Sequence, residues 1–115
     1  MSLNVIPLTP TGTPNGVPLV VTGTTSGAAN TLHSAVNVTG KTDVLDISVA
    51  NVTGAAVVLT IMIGGVIWFT GSIAPTSAPP QYMGRIRVSG GVLVACYAAT
   101  GSAINVSATG TQEAL

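Results

Sequence analysis

From Val17 onward, short β-branched stretches alternate with turn residues along the whole chain. Runs of Val, Ile and Thr are separated by Gly, Asn, Ser and Pro at the spacing typical of a sandwich or barrel, without helical periodicity. This pattern predicts about eight strands, enough for two packed sheets. They cover residues 17–22, 31–38, 44–51, 56–63, 66–70, 83–88, 92–98 and 103–108. We therefore predict an all-β fold, an antiparallel β-sandwich or jelly roll, as a single domain over residues 17–115.

The segment 1–16 differs from the rest of the chain. Pro7, Pro10 and Pro14 stand there among glycines and threonines. Proline lacks the backbone N–H that a helix interior or a central strand needs, so neither element runs through this segment. We predict an extended N-terminal arm. It is either a loose terminus or a segment ordered by lying across a neighbouring subunit.

Two strands have clear orientations in the sequence. In 44–51, Leu45, Ile47 and Val49 alternate with more polar residues, which predicts one face in the core. In 56–63, both faces are largely apolar, and Val58 and Met62 lie on the second one. That strand is therefore central, or its outer face meets another subunit.

Turn residues connect these strands. Gly64-Gly65 predicts a tight hairpin, because a type I′ turn needs positive φ at both central positions. Pro75, Pro79 and Pro80 predict a loop over residues 73–81 that joins one strand to the next.

The chain is unusually poor in charge. Charged residues make up 5% of it and sum to zero with His33 neutral, whereas soluble domains average roughly 25% charged residues. A net charge near zero favours association. We expect neighbouring protein to cover much of the surface. The alternative is that Thr, Ser, Asn and Gly alone keep an isolated domain hydrated.

Several classes of function lack the residues they need. Three basic residues are too few to neutralise a nucleic-acid backbone, and no apolar run approaches the roughly 20 residues of a membrane span. His33 and Cys96 are too far apart in sequence for a zinc motif, and a single histidine is a poor basis for nucleophilic catalysis. We predict a protein that is not an enzyme and has no catalytic residue, metal or cofactor.

A few side chains are candidates for interaction. Arg85 and Arg87 lie two apart in a strand and share one face, where they are either solvated or paired with carboxylates or carbonyls of a neighbour. Trp68 precedes Phe69, so strict alternation places one ring on each face of their strand. We predict that the interaction residues are among Arg85, Arg87, Trp68, Val58 and Met62. The contact surface is the N-terminal arm, the face of the two arginines or the outer side of strand 56–63.

Two long segments of the chain read VLDISVANVTGAAVVLTIMIGG and VLVACYAATGSAINVSATG. With the residues around them, over about 31–109, they resemble small virion proteins of tailed bacteriophages. The resemblance implies a decoration or cement protein on the capsid surface, made in the host cytoplasm. It also implies a homo-oligomer, often a trimer, that binds the major capsid protein and stabilises the assembled shell.

Two other functions remain open at this point. A carbohydrate- or receptor-binding module of a phage fibre or adhesin would hold its ligand in loops at one end of the sandwich. A pilus or surface-layer subunit would donate its N-terminal arm to the next subunit, although the prolines of the arm disfavour a continuous donated strand.

Overall fold

The computed structural model describes residues 4–75 and 80–114, and these form an antiparallel β-sandwich. The prediction of an all-β sandwich is confirmed. Within the described residues there are two single 3-10 turns, at 14–16 and 26–28, and nine strands. The strands are β1 (Asn4–Leu8), β2 (Leu19–Val21), β3 (Asn30–Ser34), β4 (Lys41–Asn51), β5 (Val57–Ile63), β6 (Val66–Ile73), β7 (Gln81–Val88), β8 (Leu93–Ala98) and β9 (Ile104–Ala114).

The strands form two sheets. Sheet A has the order β1-β9-β4-β7, and β2 also pairs with β9. Sheet B has the order β3-β8-β5-β6. The longest ladder joins β4 to β9 and runs from Lys41 opposite Ala114 to Asn51 opposite Ile104. Because β9 is paired along its whole length, it extends to Ala114, beyond the predicted end at residue 108.

Part of the N-terminal arm belongs to the sandwich. Strand β1 pairs antiparallel with the end of β9, from Asn4 opposite Ala114 to Leu8 opposite Gly110. Pro7 is tolerated because β1 is an edge strand, where one row of backbone groups needs no ladder partner. Residues 4–8 therefore lie against their own chain, an arrangement that differs from both a loose terminus and an arm lying across a neighbour.

The core lies between the inner faces of the two sheets. Leu45, Ile47 and Val49 of β4 enter it as predicted, and they meet Leu59 and Ile61 of β5 in one buried cluster. Burying each such side chain contributes about 1.5–3 kcal/mol. Both inner faces are therefore fixed in register, because a slip by one residue would turn these side chains to water.

The predicted turns are present where the chain is described. Gly64 and Gly65 have φ of 58° and 81° and close the hairpin between β5 and β6. The predicted loop at 73–81 is shorter, because β6 extends to Ile73 and β7 begins at Gln81. Its residues 76–79 lie outside the described residues. The connection joins β6 of sheet B to β7 of sheet A. Each of these strands is an edge strand of its sheet.

Candidate functional site

The charged residues of the chain are all in sheet A. The strands of sheet B, all of them within the described residues, contain no Asp, Glu, Lys or Arg. The three acidic and three basic side chains belong to β4, β7 and β9, and they are Lys41, Asp43, Asp46, Arg85, Arg87 and Glu113. The sandwich thus has two chemically different sides.

The outer face of sheet A carries ion pairs. Arg85 stands opposite Asp46 on the neighbouring strand, and its Nε and Nη2 donate to Oδ1 and Oδ2 of that carboxylate, both at 3.1 Å. The Tyr82 hydroxyl donates to the same Oδ1 at 2.7 Å. The hydrogen bonds from Arg85 and Tyr82 lower the pKa of Asp46. This exposed cluster is fully paired at neutral pH.

Arg87 also finds its carboxylate within the chain. It shares the outer face with Arg85, as predicted, and its Nη2 donates to Oε2 of Glu113 on β9. The arginines therefore pair with Asp46 and Glu113 of their own chain, whereas the sequence left only water or a neighbour as partners. The sequence did not reveal these carboxylates as partners, since three separate segments supply the cluster.

Two concavities adjoin the Arg87–Glu113 pair. One has a volume of about 590 Å³ and lies at the end of the sandwich, between the loop before β4 and the β7–β8 turn. Lys41, Arg87 and Glu113 contribute charged groups to it, and Asn37 contributes an amide. A smaller one of about 350 Å³ lies on sheet A beside Asp46. Such a mixture of donors and acceptors can bind a small polar ligand.

The outer face of sheet B carries no charged group, and its polar groups are hydroxyls. Residues directly opposite each other in a ladder share a face, so the alternation in β5 and its registers with β6 and β8 define the set. This uncharged face comprises Val58, Thr60, Met62, Ile67, Thr70, Ser72, Leu93, Ala95 and Tyr97. Val58, Ile67 and Leu93 are 46%, 56% and 50% exposed.

The sequence correctly placed Val58 and Met62 on the second face of their strand, but the two differ in exposure. Met62 stands between Ile67 and Ala95 on the flanking strands and is only 9% exposed. Thr60 is similarly shielded and shares a hydrogen bond with Thr70, with 3.1 Å between their hydroxyls. Val58 therefore offers more contact area to a partner than Met62 does.

Trp68 does not lie where strict alternation places it. The register between β5 and β6 shifts at this point, with Phe69 opposite Ile61 and Ile67 opposite Met62. The extra residue is Trp68, and such a bulge turns a side chain away from its regular position. Its ring lies over Gly84 of β7, where an added Cβ would stand 3.3 Å from Cη2. Trp68 thus closes the gap between the edge strands of the two sheets.

His33 belongs to a buried network. Its Nδ1 accepts the Thr11 N–H at 3.0 Å, so the proton of the neutral ring is on Nε2, which donates to Oδ2 of Asp43 at 2.7 Å. That carboxylate also accepts from the Val36 N–H at 2.9 Å and from Nε2 of Gln112 at 3.0 Å. Burial raises the pKa of Asp43, but these hydrogen bonds outweigh it, and the net pKa is lowered.

The His33 network has the geometry of a buried hydrogen-bond network that connects the two sheets. Both ring nitrogens are occupied, and the His33 and Asp43 side chains are each 2% exposed.

No group of three His, Cys, Asp or Glu residues that could hold a metal ion is found in the described part of the chain. Burial raises the pKa of the Cys96 thiol to about 12. No helical segment in residues 4–75 or 80–114 has the length and apolar character to span a bilayer.

Comparisons with known proteins do not place this chain in a family. No family model and no curated protein matches the chain. Dimeric latent PorU from Porphyromonas gingivalis is similar at 13% identity and a TM-score of 0.47, over 99% of this chain and only 13% of that one. A family 35 carbohydrate binding module from Clostridium thermocellum is similar at 18% identity and a TM-score of 0.42, over 96% of this chain and 89% of that one.

Proposed function

We propose that this protein is a non-enzymatic structural protein that docks the uncharged face of sheet B on a larger protein shell. The observation that carries the proposal is the confinement of every charged residue to sheet A. Together with the sequence resemblance, it supports a decoration or cement protein. Such a protein would assemble as a homo-oligomer on the major capsid protein at the surface of a phage particle.

Docking this face in preference to the other is physically reasonable. Removing a charged group from water is costly unless a partner compensates for it, and the uncharged face contains no such group. Each Å² of apolar surface that it buries contributes about 25 cal/mol. Sheet A would remain in water, where its ion pairs keep the outside of the particle hydrated.

A shell presents the same docking site many times. A protein that binds only the assembled lattice stabilises that lattice by mass action, and linked subunits gain avidity without new contacts. The uncharged face comprises part of a four-stranded sheet. A contact no larger than this face is sufficient for stable binding when an oligomer binds several sites together.

The concavities of sheet A favour a second candidate, a carbohydrate- or receptor-binding module. Hydroxyl, amide and charged groups line the 590 Å³ concavity. Farther along sheet A, the exposed Tyr82 donates a hydrogen bond to Asp46, which lines the 350 Å³ concavity. Sugars are bound by such polar side chains beside an aromatic ring. This candidate assigns binding to the opposite side of the sandwich from the first, so substitutions distinguish the two.

Matched valines provide the test. Val58 on sheet B and Val20 on the outer side of sheet A are 46% and 45% exposed. We would sediment wild type, Val58→Lys and Val20→Lys with a panel of DNA-free tailed-phage capsids, and probe the same proteins on a glycan array. We expect wild type and Val20→Lys to sediment with a capsid and Val58→Lys to stay in solution.

Two results would overturn the proposal. The first is sedimentation of Val58→Lys equal to that of wild type. The second is an absence of capsid binding across the panel. Glycan binding that is lost in Arg87→Ala and kept in Val58→Lys would establish the second candidate.

A further inference from the structure

Strand β6 is an edge of sheet B, and no strand within residues 4–75 and 80–114 pairs with its outer backbone row. In the sheet order β3-β8-β5-β6 it pairs only with β5. Among the described residues, the one further bond to its backbone comes from Asn51, whose Nδ2 donates to the Ile73 carbonyl at 3.1 Å. An edge of this kind is a template for another β-strand.

The other edge of sheet B is partly covered. The Gly12 N–H donates to the Leu32 carbonyl at 2.8 Å, and the Ser34 N–H donates to the Thr11 hydroxyl at 2.8 Å. Residues 11–12 therefore occupy positions along the edge of β3 that a further strand would need. A strand that extends sheet B has to add at β6.

Strand β6 lacks most of the features by which edge strands avoid pairing with another chain. Its residues, VIWFTGSI, include no charge and no proline. The bulge at Trp68 interrupts the edge locally, but residues 69–73 pair regularly with β5. The free edge of sheet A is different, because β7 carries Arg85, Arg87 and a kink at Gly84, where φ is 142°. Charges and bulges of that kind protect an edge, and residues 69–73 have neither.

We propose that β6 pairs antiparallel with β6 of a second copy of this chain, about a two-fold axis near residues 69–73. Such a contact is self-complementary, because each residue meets its symmetry-related partner. It places no like charges opposite each other in any register, since β6 has none. Val66 and Ile67, which are 71% and 56% exposed, lie beside the contact.

The inference rests on the proposed function, and it identifies a second copy of this chain, paired at β6, as the partner in the homo-oligomer. The two sheets B would form one continuous sheet, and the two uncharged faces would stand side by side. The docking surface of the dimer would then be twice that of one chain. Pairing of backbone groups would provide the contact between copies, while the uncharged face remained free for the shell.

Cysteine cross-linking tests the contact directly. Cys96 is buried with a raised pKa and gives little background. In the full chain we would introduce Thr70→Cys and Ser72→Cys, oxidise them singly and as an equimolar mixture, and compare Thr31→Cys. Thr31 is the matched control, an exposed residue on the opposite edge strand of the same sheet.

We expect intermolecular disulfides in at least one of the three β6 samples. They should form on the order of 100-fold faster than with Thr31→Cys, because paired strands hold the thiols at millimolar effective concentration. Ile67→Lys should abolish this cross-linking, since an edge lysine opposes strand addition. Trp68 fluorescence and circular dichroism would confirm that each variant is folded.

Equal cross-linking at Thr31 and at both β6 positions would overturn the inference. So would unchanged cross-linking of Thr70→Cys when Ile67→Lys is added. Capsid sedimentation reports separately on the proposed function. A protein that sediments through Val58 without β6 cross-links contradicts the dimer alone, whereas β6 cross-links without sedimentation contradict the docking alone.

Discussion

The strongest test of the fold is the removal of the buried carboxylate by Asp43→Ala. Asp43 accepts hydrogen bonds from His33, Val36 and Gln112, at 2.7, 2.9 and 3.0 Å. Each hydrogen bond to a charged group contributes about 1.5–3 kcal/mol. Relief of the buried charge offsets part of that loss, and the orphaned His33 donor adds to it. The lost hydrogen bonds and the unpaired His33 donor together cost about 3–5 kcal/mol.

We expect Asp43→Ala to lower the free energy of unfolding by about 3–5 kcal/mol, because three hydrogen bonds to the carboxylate are lost. For a domain of this length, that loss lowers Tm by more than about 10 °C. Urea unfolding followed by the fluorescence of Trp68, the only tryptophan, measures it. The ring packs over Gly84 between the two sheets, so it reports on their separation.

Asp46→Ala is the matched control on the same strand. That carboxylate pairs with Arg85, whose side chain is 64% exposed, and solvent-exposed ion pairs contribute little to stability. Asp43→Ala should therefore lose clearly more stability than Asp46→Ala does. If Asp43→Ala loses no more stability than Asp46→Ala does, the buried network does not hold the sheets as described.

Three further predictions concern other parts of the sandwich. Gly84→Ala should destabilise the protein by about 1–3 kcal/mol and shift Trp68 emission, because φ is 142° there and the added Cβ meets the indole ring; unchanged urea midpoint and emission would contradict the packing. The Cys96 thiol, whose pKa burial raises to about 12, should react with a thiol reagent at pH 8 on the order of 100-fold more slowly in the native protein than in urea; equal rates would show that it is exposed. Burial raises the pKa of Asp43, but its hydrogen bonds outweigh burial and lower the pKa below its usual 3.8. The stabilisation that the ionised carboxylate contributes is therefore present above that pH and is lost as the pH falls through the folded-state pKa. Urea midpoints of wild type and Asp43→Asn should converge in acid, and parallel curves of midpoint against pH would contradict this.

Local sequence features predicted much of the fold. The paired glycines at 64–65 need positive φ and produced the hairpin, and the alternation of Leu45, Ile47 and Val49 oriented β4. Strand β1 was missed because its stabilising partner, β9, is at the other end of the chain. A proline-containing segment has no local preference for a strand, and pairing over that separation leaves no local pattern.

The candidate site was predictable only in part. The shared face of Arg85 and Arg87 follows from the period of a strand. The segregation of charge does not, because it depends on β4, β7 and β9 being neighbours in sheet A. The bulge that moves Trp68 to the edge of the sandwich is also a property of pairing with β5. The segregation of charge and the position of Trp68 thus depend on strand order and register, which the sequence pattern does not determine.

Light scattering of the wild-type protein, in low and high salt at tens of micromolar, tests most directly the central claim that copies of this chain associate through an uncharged β-strand edge, β6. We predict a mass of at least twice the 11.3 kDa of the chain. The mass should change little with salt, because the contacts contain no charges to screen. A mass of 11.3 kDa in both salts would contradict the claim, and so would an oligomer that dissociates when salt is added.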